Sequence, residues 1–307
     1  MNNKGGLRPP LLLSGKMKAG YCTISGEPNV GKSTLQNRLL GRKLSIVTPK
    51  PQTTRHRVSG ILTGPEYQIV FLDCPGIIEP HYELQSVMMK RVKQALEDAD
   101  VLVFVVDATV EPCGREEAII GTLRDYRKPL LLAINKIDLV KKHTLLPLID
   151  RYQRIHQFQE TVPMSALTGD GVGILLDLII KYLPSGEALY PGEHLSEHPE
   201  RFFVGEIVRE KVFLLYAEEV PYSTAVVVEE FVERSGRKDY IKATIFVERG
   251  SQKQILIGRG GLALRKVGEE ARKEIEEFLG RPVFLELWVK TRKHWRRTAR
   301  DVKEFGY

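Results

Sequence analysis

The chain has 307 residues, of which 42% are hydrophobic and 28% charged, an ordinary balance for a globular protein long enough for about two domains. The net charge of +7 suggests an acidic partner, but the excess lies mostly before residue 184, so only local clusters can argue for nucleic acid. Cys22, Cys74 and Cys113 share no C-x-x-C spacing, and no apolar run approaches the roughly 18 residues of a membrane span. These features argue against a disulfide framework, a zinc site and a membrane-spanning protein, and a reducing cytosol is the expected location.

Residues 1–18 are basic, with Lys4, Arg8, Lys16 and Lys18 but no acidic residue. This segment also contains a Pro-Pro pair and lacks the Arg/Ser-rich amphipathic character of a transit peptide. It therefore predicts a flexible basic arm.

A phosphate-binding pattern follows a short apolar strand predicted at 21–25 and precedes a helix predicted from Thr34. Glycines let the backbone wrap closely around a polyphosphate, while the lysine adds charge and the last hydroxyl can bind Mg²⁺. The pattern G-x-x-x-x-G-K-[ST] is matched without a gap by Gly26, Glu27, Pro28, Asn29, Val30, Gly31, Lys32 and Ser33. It predicts a nucleotide site but does not select adenine or guanine.

Strands that are apolar on both sides alternate with helices in the following stretch, which indicates a mostly parallel sheet covered on both faces. The strands are predicted at 58–63, 67–73, 101–106, 130–134 and near Val162, and the helices at 84–99, 116–127, 145–158 and 173–183. A Pro- and Gly-rich stretch at 185–200 reads as a linker. The expected organisation is thus an α/β domain at 19–184, this linker, and a second domain at 201–307.

Two further motifs lie at ends of apolar strands, where ligands of parallel sheets collect. Asp73 can hold the shell of Mg²⁺, and the N–H of Gly76 can face the terminal phosphate. Asn135 can tie its loop to the phosphate loop, and Lys136 can lie over a base. Asp138 selects the base, because its carboxylate accepts two hydrogen bonds from guanine, whereas adenine offers a lone pair at the matching ring nitrogen.

Two weaker signals complete the predicted nucleotide site. Backbone N–H groups at Ser165, Ala166 and Leu167 are placed to meet the guanine carbonyl oxygen, although small common residues are poor evidence. The segment 50–57 contains two threonines, either of which could reach Mg²⁺ when a third phosphate draws the segment in; we favour Thr54 over Thr53.

The second domain has the predicted element order α-β-β-α-α-β: a helix at 201–216, strands at 224–233 and 240–248, two short helices around 258–261 and a last strand at 283–290. A G-x-x-G loop between two helices is a context that clamps nucleic-acid backbone. A basic run follows the last strand, and His294 and Trp295 interleave with it, which suits base stacking or a folded RNA backbone. The RNA-contacting residues predicted are Lys253, Gly258, Arg259, Gly260, Gly261, Arg265, Lys266, Lys290, Arg292, Lys293, Trp295, Arg296 and Arg297.

With these motifs in place, the chain from about residue 21 onward resembles the Era family of GTPases. The marks beyond the general GTPase motifs are the segment 50–57, the run 255–261 and the run 286–290. The resemblance implies a GTPase domain joined to a type II KH domain, with GTP or GDP and Mg²⁺ as ligands. It also implies binding to small-subunit ribosomal RNA near its 3′ end, a role in assembly of that subunit, a bacterial-type cytoplasmic location and a monomer.

Two positions modify this expectation. Cys74 replaces the family's usual threonine, which leaves the roles of Asp73 and Gly76 untouched. Ile77 stands where many GTPases have a glutamine that orients the attacking water, so we expect slow hydrolysis helped from elsewhere. Similar GTPases with a hydrophobic residue there use K⁺ held by an asparagine of the phosphate loop, and Asn29 matches that residue. The hypothesis assigns catalytic roles to Lys32, Asn29, Thr54 and Gly76, with Mg²⁺ held by Ser33, Asp73 and the threonine.

Two alternative functions stay open at this point. A metabolic phosphotransferase would share the phosphate loop, but Asp138 and the absence of a substrate lid speak against it. A GTPase scaffold on a membrane surface would use the basic run of the C-terminal part, with weak association at the inner membrane, although no amphipathic apolar face supports it.

Overall fold

The structure, a computed structural model, describes residues 17–307, so the predicted arm at 1–18 lies almost wholly outside the described residues. The first domain begins with β1 at Met17–Ser25. Its further strands are β2 (Val58–Thr63), β3 (Tyr67–Asp73), β4 (Val101–Asp107), β5 (Leu130–Asn135), β6 (Glu160–Pro163) and β7 (Ser185–Gly186). Its helices are α1 (Lys32–Leu40), α2 (Glu83–Asp98), α3 (Gly114–Arg124), α4 (Leu145–Ile155) and α5 (Val172–Tyr182).

These strands form one sheet in the order β2-β3-β1-β4-β5-β6, and β7 pairs antiparallel with β1. Only the β2–β3 pair breaks the parallel arrangement along the main path. The predicted α/β class with a mostly parallel sheet is confirmed. All carboxyl ends of the parallel strands meet at one edge, so the loops after β1, β3, β5 and β6 converge there.

The sheet separates two hydrophobic layers, as expected for strands whose successive side chains point to opposite faces. On β4, Val101, Val103 and Val105 pack with α1 and α5, whereas Leu102 and Phe104 pack with α2 and α3. Each layer is fully buried at these positions. This double coverage fixes the register of the central strands and holds the loops at their ends.

The connection after β7 runs beside the outer edge of β2 rather than through solvent. The backbone N–H of Ile61 donates to the carbonyl oxygen of Leu195 at 2.9 Å, and the hydroxyl of Ser196 donates to the carbonyl oxygen of Ser59 at 2.6 Å. The predicted linker therefore covers an otherwise unpaired strand edge.

The second domain contains a three-stranded sheet in the order β10-β9-β8, with β8 antiparallel to β9 and β10 parallel to it. The strands are β8 (Ala225–Val232), β9 (Asp239–Val247) and β10 (Val283–Thr291). The helices are α6 (Glu200–Leu215), α7 (Glu219–Tyr222), α8 (Gly250–Ile257), α9 (Leu262–Leu279) and α10 (Ala299–Glu304).

One helix of this domain is longer than predicted. The two helices around 258–261 were expected to be short, but α9 has 18 residues. Val267, Ala271 and Ile275 recur every four residues on its buried face, so continued burial extends the helix beyond the loop. Within residues 17–307, no helix combines the length and apolar character that crossing a bilayer requires.

Candidate functional site

The phosphate loop joins β1 to α1 and requires glycine at two positions. Gly31 has φ +99°, and a Cβ there would lie 2.2 Å from Nδ2 of Asn135; a Cβ at Gly26 would lie 2.3 Å from the carbonyl oxygen of Val105. The backbone is therefore packed against the ends of β4 and β5. This leaves the N-terminus of α1 at the centre of the sheet edge, where an anion is stabilised.

Lys32 is the buried cation of this loop. Its side chain is 6% exposed, and Nζ donates to the carbonyl oxygen of Glu27 at 2.7 Å. Burial lowers the pKa of Lys32 from 10.5 to about 8. A phosphate beside this ammonium would replace lost hydration and favour its charged form.

Three oxygen-bearing side chains converge next to the lysine. The hydroxyl of Ser33 lies 2.6 Å from Oδ2 of Asp73 and 2.9 Å from the hydroxyl of Thr54. Thr53 instead is buried, with its hydroxyl bonded to Thr48 at 2.6 Å and to the carbonyl of Lys50 at 2.7 Å. The geometry thus brings Thr54, and not Thr53, to Ser33 and Asp73.

This trio fits a divalent cation. Oδ1 of Asp73 is buried and has no hydrogen-bond partner among the described residues, and burial raises the pKa of this carboxyl. A hydrated Mg²⁺ would supply both a positive charge and water hydrogens to such an oxygen. No cluster of three or more His, Cys, Asp or Glu side chains suited to a metal exists within 17–307, so the hydroxyls and phosphates would complete the shell.

Asn135 connects two loops. Its Nδ2 donates to the carbonyl oxygen of Val30 at 2.7 Å, and its Oδ1 accepts from the N–H of Ala166 at 2.8 Å. Lys136 has φ +67° and forms an ion pair with Asp107, while Asp138 is exposed in the short turn that follows. The predicted tie between the 135–138 motif and the phosphate loop is present in the structure.

The loop after β6 has fewer free backbone N–H groups than predicted. The N–H of Ser165 donates to the carbonyl of Asp170 at 2.9 Å, and the N–H of Ala166 is taken by Asn135. Two of the three N–H groups predicted at Ser165, Ala166 and Leu167 to meet a base are therefore committed to protein acceptors. Sequence reasoning also missed Arg38 of α1, which donates to the carbonyls of residues 166 and 167.

A cavity of about 350 Å³ opens between these loops. It is lined by the phosphate loop, by the segment 46–54, by Gly76 and by Lys136, whereas Asp138 lies outside its lining. Gly76 packs so closely that a Cβ would come 2.7 Å from the nitrogen of Pro28. Ile77 packs against the hydrophobic layer beneath, and its N–H donates to the carbonyl of Gly26 at 3.2 Å.

The segment 43–57 lies between the two domains. Arg55 is 3% exposed and donates to the carbonyls of Thr224 at 2.6 Å, Tyr222 at 2.9 Å and Pro221 at 3.2 Å. Lys50 donates to two carbonyls at the end of α6. The segment that lines the nucleotide cavity is thus anchored to the second domain by its neighbouring side chains.

The G-x-x-G loop connects α8 to α9 with glycines in conformations that side chains avoid. Gly258, Gly260 and Gly261 have φ of +71°, +57° and +80°. Arg259, Arg265 and Lys266 are exposed around it, and Lys253 is half-buried. The surface near this loop is therefore open and basic, as an RNA backbone requires.

The basic run after β10 differs from the prediction at three residues. Trp295 is fully buried, with its indole N–H donating to the carbonyl of Ser223 at 2.8 Å, so base stacking by this residue is wrong. Arg292 pairs with Asp301, and Arg296 pairs with Glu248 at 2.6 Å and lies over the ring of Tyr82. The charges of these two arginines are therefore partly neutralised by acidic side chains of the protein. Exposed cations remain at Lys293 and Arg297 of this run and at Lys290 near the end of β10, although Lys290 contacts Glu229 at 3.0 Å.

Two family models match the chain. Residues 21–136 match the family described as 50S ribosome-binding GTPase, and residues 219–296 match the KH domain family. These two matches fall on the two domains of the fold.

Two solved structures are similar over nearly the full length. One is a tyrosine-to-alanine variant of Aquifex aeolicus Era bound to GDP·AlF4⁻, and the other is Era in complex with MgGDPNP and nucleotides 1506–1542 of 16S ribosomal RNA. Each is 46% identical with a TM-score of 0.92, and each alignment covers 95% of this chain and 99% of the other.

Proposed function

Because the chain belongs to the Era family of GTPases, we propose that it is a GTP-hydrolysing switch that binds small-subunit ribosomal RNA near its 3′ end and assists assembly of that subunit. The observation that carries this function is the presence, in one chain, of a cavity lined by the phosphate loop and of a G-x-x-G loop. The segment that lines the cavity also contacts the domain that bears the loop. The ligands GTP, GDP, Mg²⁺ and 16S RNA follow from the Era structures, whose full-length similarity outweighs the 50S description of a match to residues 21–136.

The nucleotide is held by residues with separate tasks. The backbone N–H groups of residues 26–34, except that of Pro28, which has none, and the ammonium of Lys32 receive the phosphates, and Asp138 accepts hydrogen bonds from guanine. Asn135 holds the phosphate loop and the 165–167 loop in register, so it acts on the base indirectly. Lys136 covers the base with its stem.

Ser33, Thr54 and Asp73 are the residues that would hold Mg²⁺. Bound there, the ion neutralises charge that develops on the terminal phosphates. Thr54 belongs to the segment 46–54 that lines the cavity and its hydroxyl contacts Ser33, so Mg²⁺ binding at this hydroxyl would link the nucleotide state to the segment.

We expect hydrolysis by this site to be slow, because Ile77 offers no polar group to the attacking water. K⁺ at Asn29 would supply further positive charge. Asn29 is exposed with φ +65°, and its Nδ2 donates to the carbonyl of Pro49 at 3.1 Å, which leaves Oδ1 to bind a cation. Turnover that is unchanged in Na⁺, and unchanged in Asn29→Ala, would refute this role.

The RNA is held by the second domain in this proposal. Gly258 to Gly261 let its backbone approach, and Arg259, Arg265 and Lys266 add salt-sensitive affinity, joined by Lys293 and Arg297 of the basic run. The domain boundary falls within 185–200, and we place the protein in the cytoplasm as a monomer.

Crosslinking in cells, followed by sequencing of the bound RNA, tests the proposed function. Enrichment of the 3′ end of small-subunit ribosomal RNA is expected. Even recovery across all cellular RNA, with no enrichment of ribosomal sequences, would contradict the proposal.

A further inference from the structure

The wall of the nucleotide cavity includes the side chain of a glutamine. Gln52 lines the cavity together with Lys32, Thr54 and Gly76. It also lines a second cavity of about 650 Å³ that contains Ile77 on its wall. Gln52 therefore stands on the side of the phosphates where Ile77 replaces the usual water-orienting glutamine.

The backbone at Gln52 is held in an unfavourable conformation. Its φ is +57°, a left-handed value that side chains other than Asn, Asp and Gly adopt rarely. Such a conformation persists only where the surroundings impose it, and it often marks a functional position. Here it lies two residues before Thr54, whose hydroxyl contacts Ser33.

The amide of Gln52 is oriented by a second glutamine. Nε2 of Gln85, from α2, donates to Oε1 of Gln52 at 3.2 Å, and Oε1 of Gln85 accepts from the N–H of His81 at 2.8 Å. Gln85 is 5% exposed and cannot reorient freely. Because a carbonyl oxygen has two lone pairs, Oε1 of Gln52 can accept one further hydrogen bond. Its Nε2 has no hydrogen-bond partner within 17–307.

Several other polar side chains that line the cavity bond to partners within the protein. Lys50 donates to carbonyls of α6, Thr53 bonds to Thr48, and Lys136 pairs with Asp107. Ser33 contacts both Thr54 and Asp73 on the metal side. Because Gln52 lines both this cavity and the cavity that contains Ile77, its amide can meet a water on the Ile77 side.

We propose that Gln52 orients the water that attacks GTP, and that Gln85 is a positioning residue that acts through it. In the reaction, the water oxygen bonds to the γ-phosphorus while the bond from that phosphorus to the β–γ bridging oxygen breaks. The electron pair leaves on GDP, and the proton of the water passes to phosphate or solvent. Oε1 of Gln52 accepts a hydrogen bond from this water, and Nε2 donates to the γ-phosphate. The inference rests on the proposed GTPase function.

Single-turnover hydrolysis of saturating GTP tests the role, alongside the dissociation constant for GDPNP. Gln52→Gly removes the amide and also relieves the left-handed backbone, so its rate loss cannot come from added strain. We expect a rate constant lower by on the order of 10²-fold, with GDPNP affinity within about twofold. Gln85→Leu should give a smaller rate loss by releasing the amide.

The matched control is Gln94→Leu, at an exposed glutamine of the same helix, which should leave the rate unchanged. Gln52→Asn, which keeps an amide and tolerates the left-handed backbone, should recover part of the missing rate. If the native protein hydrolyses GTP and Gln52→Gly does so equally fast, the inference alone is wrong. If the native protein binds no GDPNP and hydrolyses no GTP, the proposed function fails with it.

Discussion

The charge of Lys32 ties nucleotide binding to pH. In the free protein its pKa is about 8, because burial disfavours the ammonium. A bound phosphate favours the charged form, so the pKa is higher in the complex. Below pH 8 the free protein already carries the proton. Above it, each binding event must take up a proton, and affinity falls by up to about tenfold per pH unit.

GDPNP titrations between about pH 7 and about pH 9 check this expectation. The calorimetric signal in buffers of different ionisation enthalpy should reveal proton uptake at the alkaline end. Lys32→Arg, which stays charged, should bind with no slope over this range. A wild-type affinity that is flat across the range would contradict the role given to this lysine.

Asp138 determines which base is accepted. Replacing it by asparagine removes a charged acceptor and presents an amide hydrogen to the exocyclic amine of guanine. We expect Asp138→Asn to weaken GDP binding by roughly 3 kcal/mol while improving binding of xanthosine diphosphate, whose carbonyl accepts that hydrogen. Competition titrations with the two nucleotides measure the change. An unaltered preference for guanine would show that Asp138 does not determine base selectivity.

At the scale of elements, Asn135 holds together loops that follow different strands. Asn135→Ala leaves the carbonyl of Val30 and the N–H of Ala166 without their partner. Each buried unpaired group costs about 1–3 kcal/mol, so we expect a lower free energy of unfolding and weaker GDP binding together. Thermal unfolding with and without GDP measures both. A variant that loses neither would show that the loops are held by other contacts.

The basic run after β10 contains both exposed cations and cations that form ion pairs within the protein, so the effects of replacing the two kinds can be compared. Charge reversal of Lys293 and Arg297 should weaken RNA binding and make its salt dependence shallower, by a slope of about one for each phosphate that the protein no longer neutralises. Reversal of Arg296 would also break its ion pair with Glu248, so thermal unfolding must accompany its binding data. Equal RNA affinity after reversal of Lys293 and Arg297 would assign binding to the G-x-x-G surface alone.

The sequence predicted those elements whose signal is local. Apolar runs located the central strands. The phosphate loop was located by its glycines at 26 and 31 and by the lysine that follows them, between a strand and a helix. The fate of Trp295 could not be predicted, because an aromatic residue among cations looks the same whether it stacks on a base or is buried. It is buried here by Met88 of α2, Ala225 of β8 and Phe305, which come together only in the folded chain. The prediction that the N–H groups at 165–167 are free to bind a base failed for a similar reason. The N–H of Ala166 donates to Oδ1 of Asn135, which belongs to a different strand.

At the scale of the whole molecule, Arg55 connects the nucleotide cavity to the second domain. Its partners are backbone carbonyls of residues 221–224, and backbone groups carry no side-chain signal in a sequence, so this contact was not predictable. The guanidinium also lies 5.5 Å from the ring centre of Phe213. Because the next residue back is Thr54, movement of the segment that lines the cavity must strain or release this contact.

We therefore expect Arg55→Ala to destabilise the protein by about 3 kcal/mol, since several buried carbonyls lose their donor. The domains should also become separately mobile, which small-angle scattering would detect as a larger radius of gyration. Arg57→Ala is the matched control: Arg57 pairs with the exposed Asp98, and its removal should cost less than about 1 kcal/mol. Equal unfolding energies for the two variants would contradict the anchoring role of Arg55.

We propose above all that this GTPase recognises the 3′ end of small-subunit ribosomal RNA. Calorimetric titration of the GDPNP-loaded chain with an RNA of that sequence, and with its reverse complement of equal length, tests the claim most directly. We predict that the 3′-end RNA binds at least about tenfold more tightly at physiological salt, since sequence is read on unpaired bases beyond the phosphate contacts. Equal affinity for the two RNAs would contradict the claim.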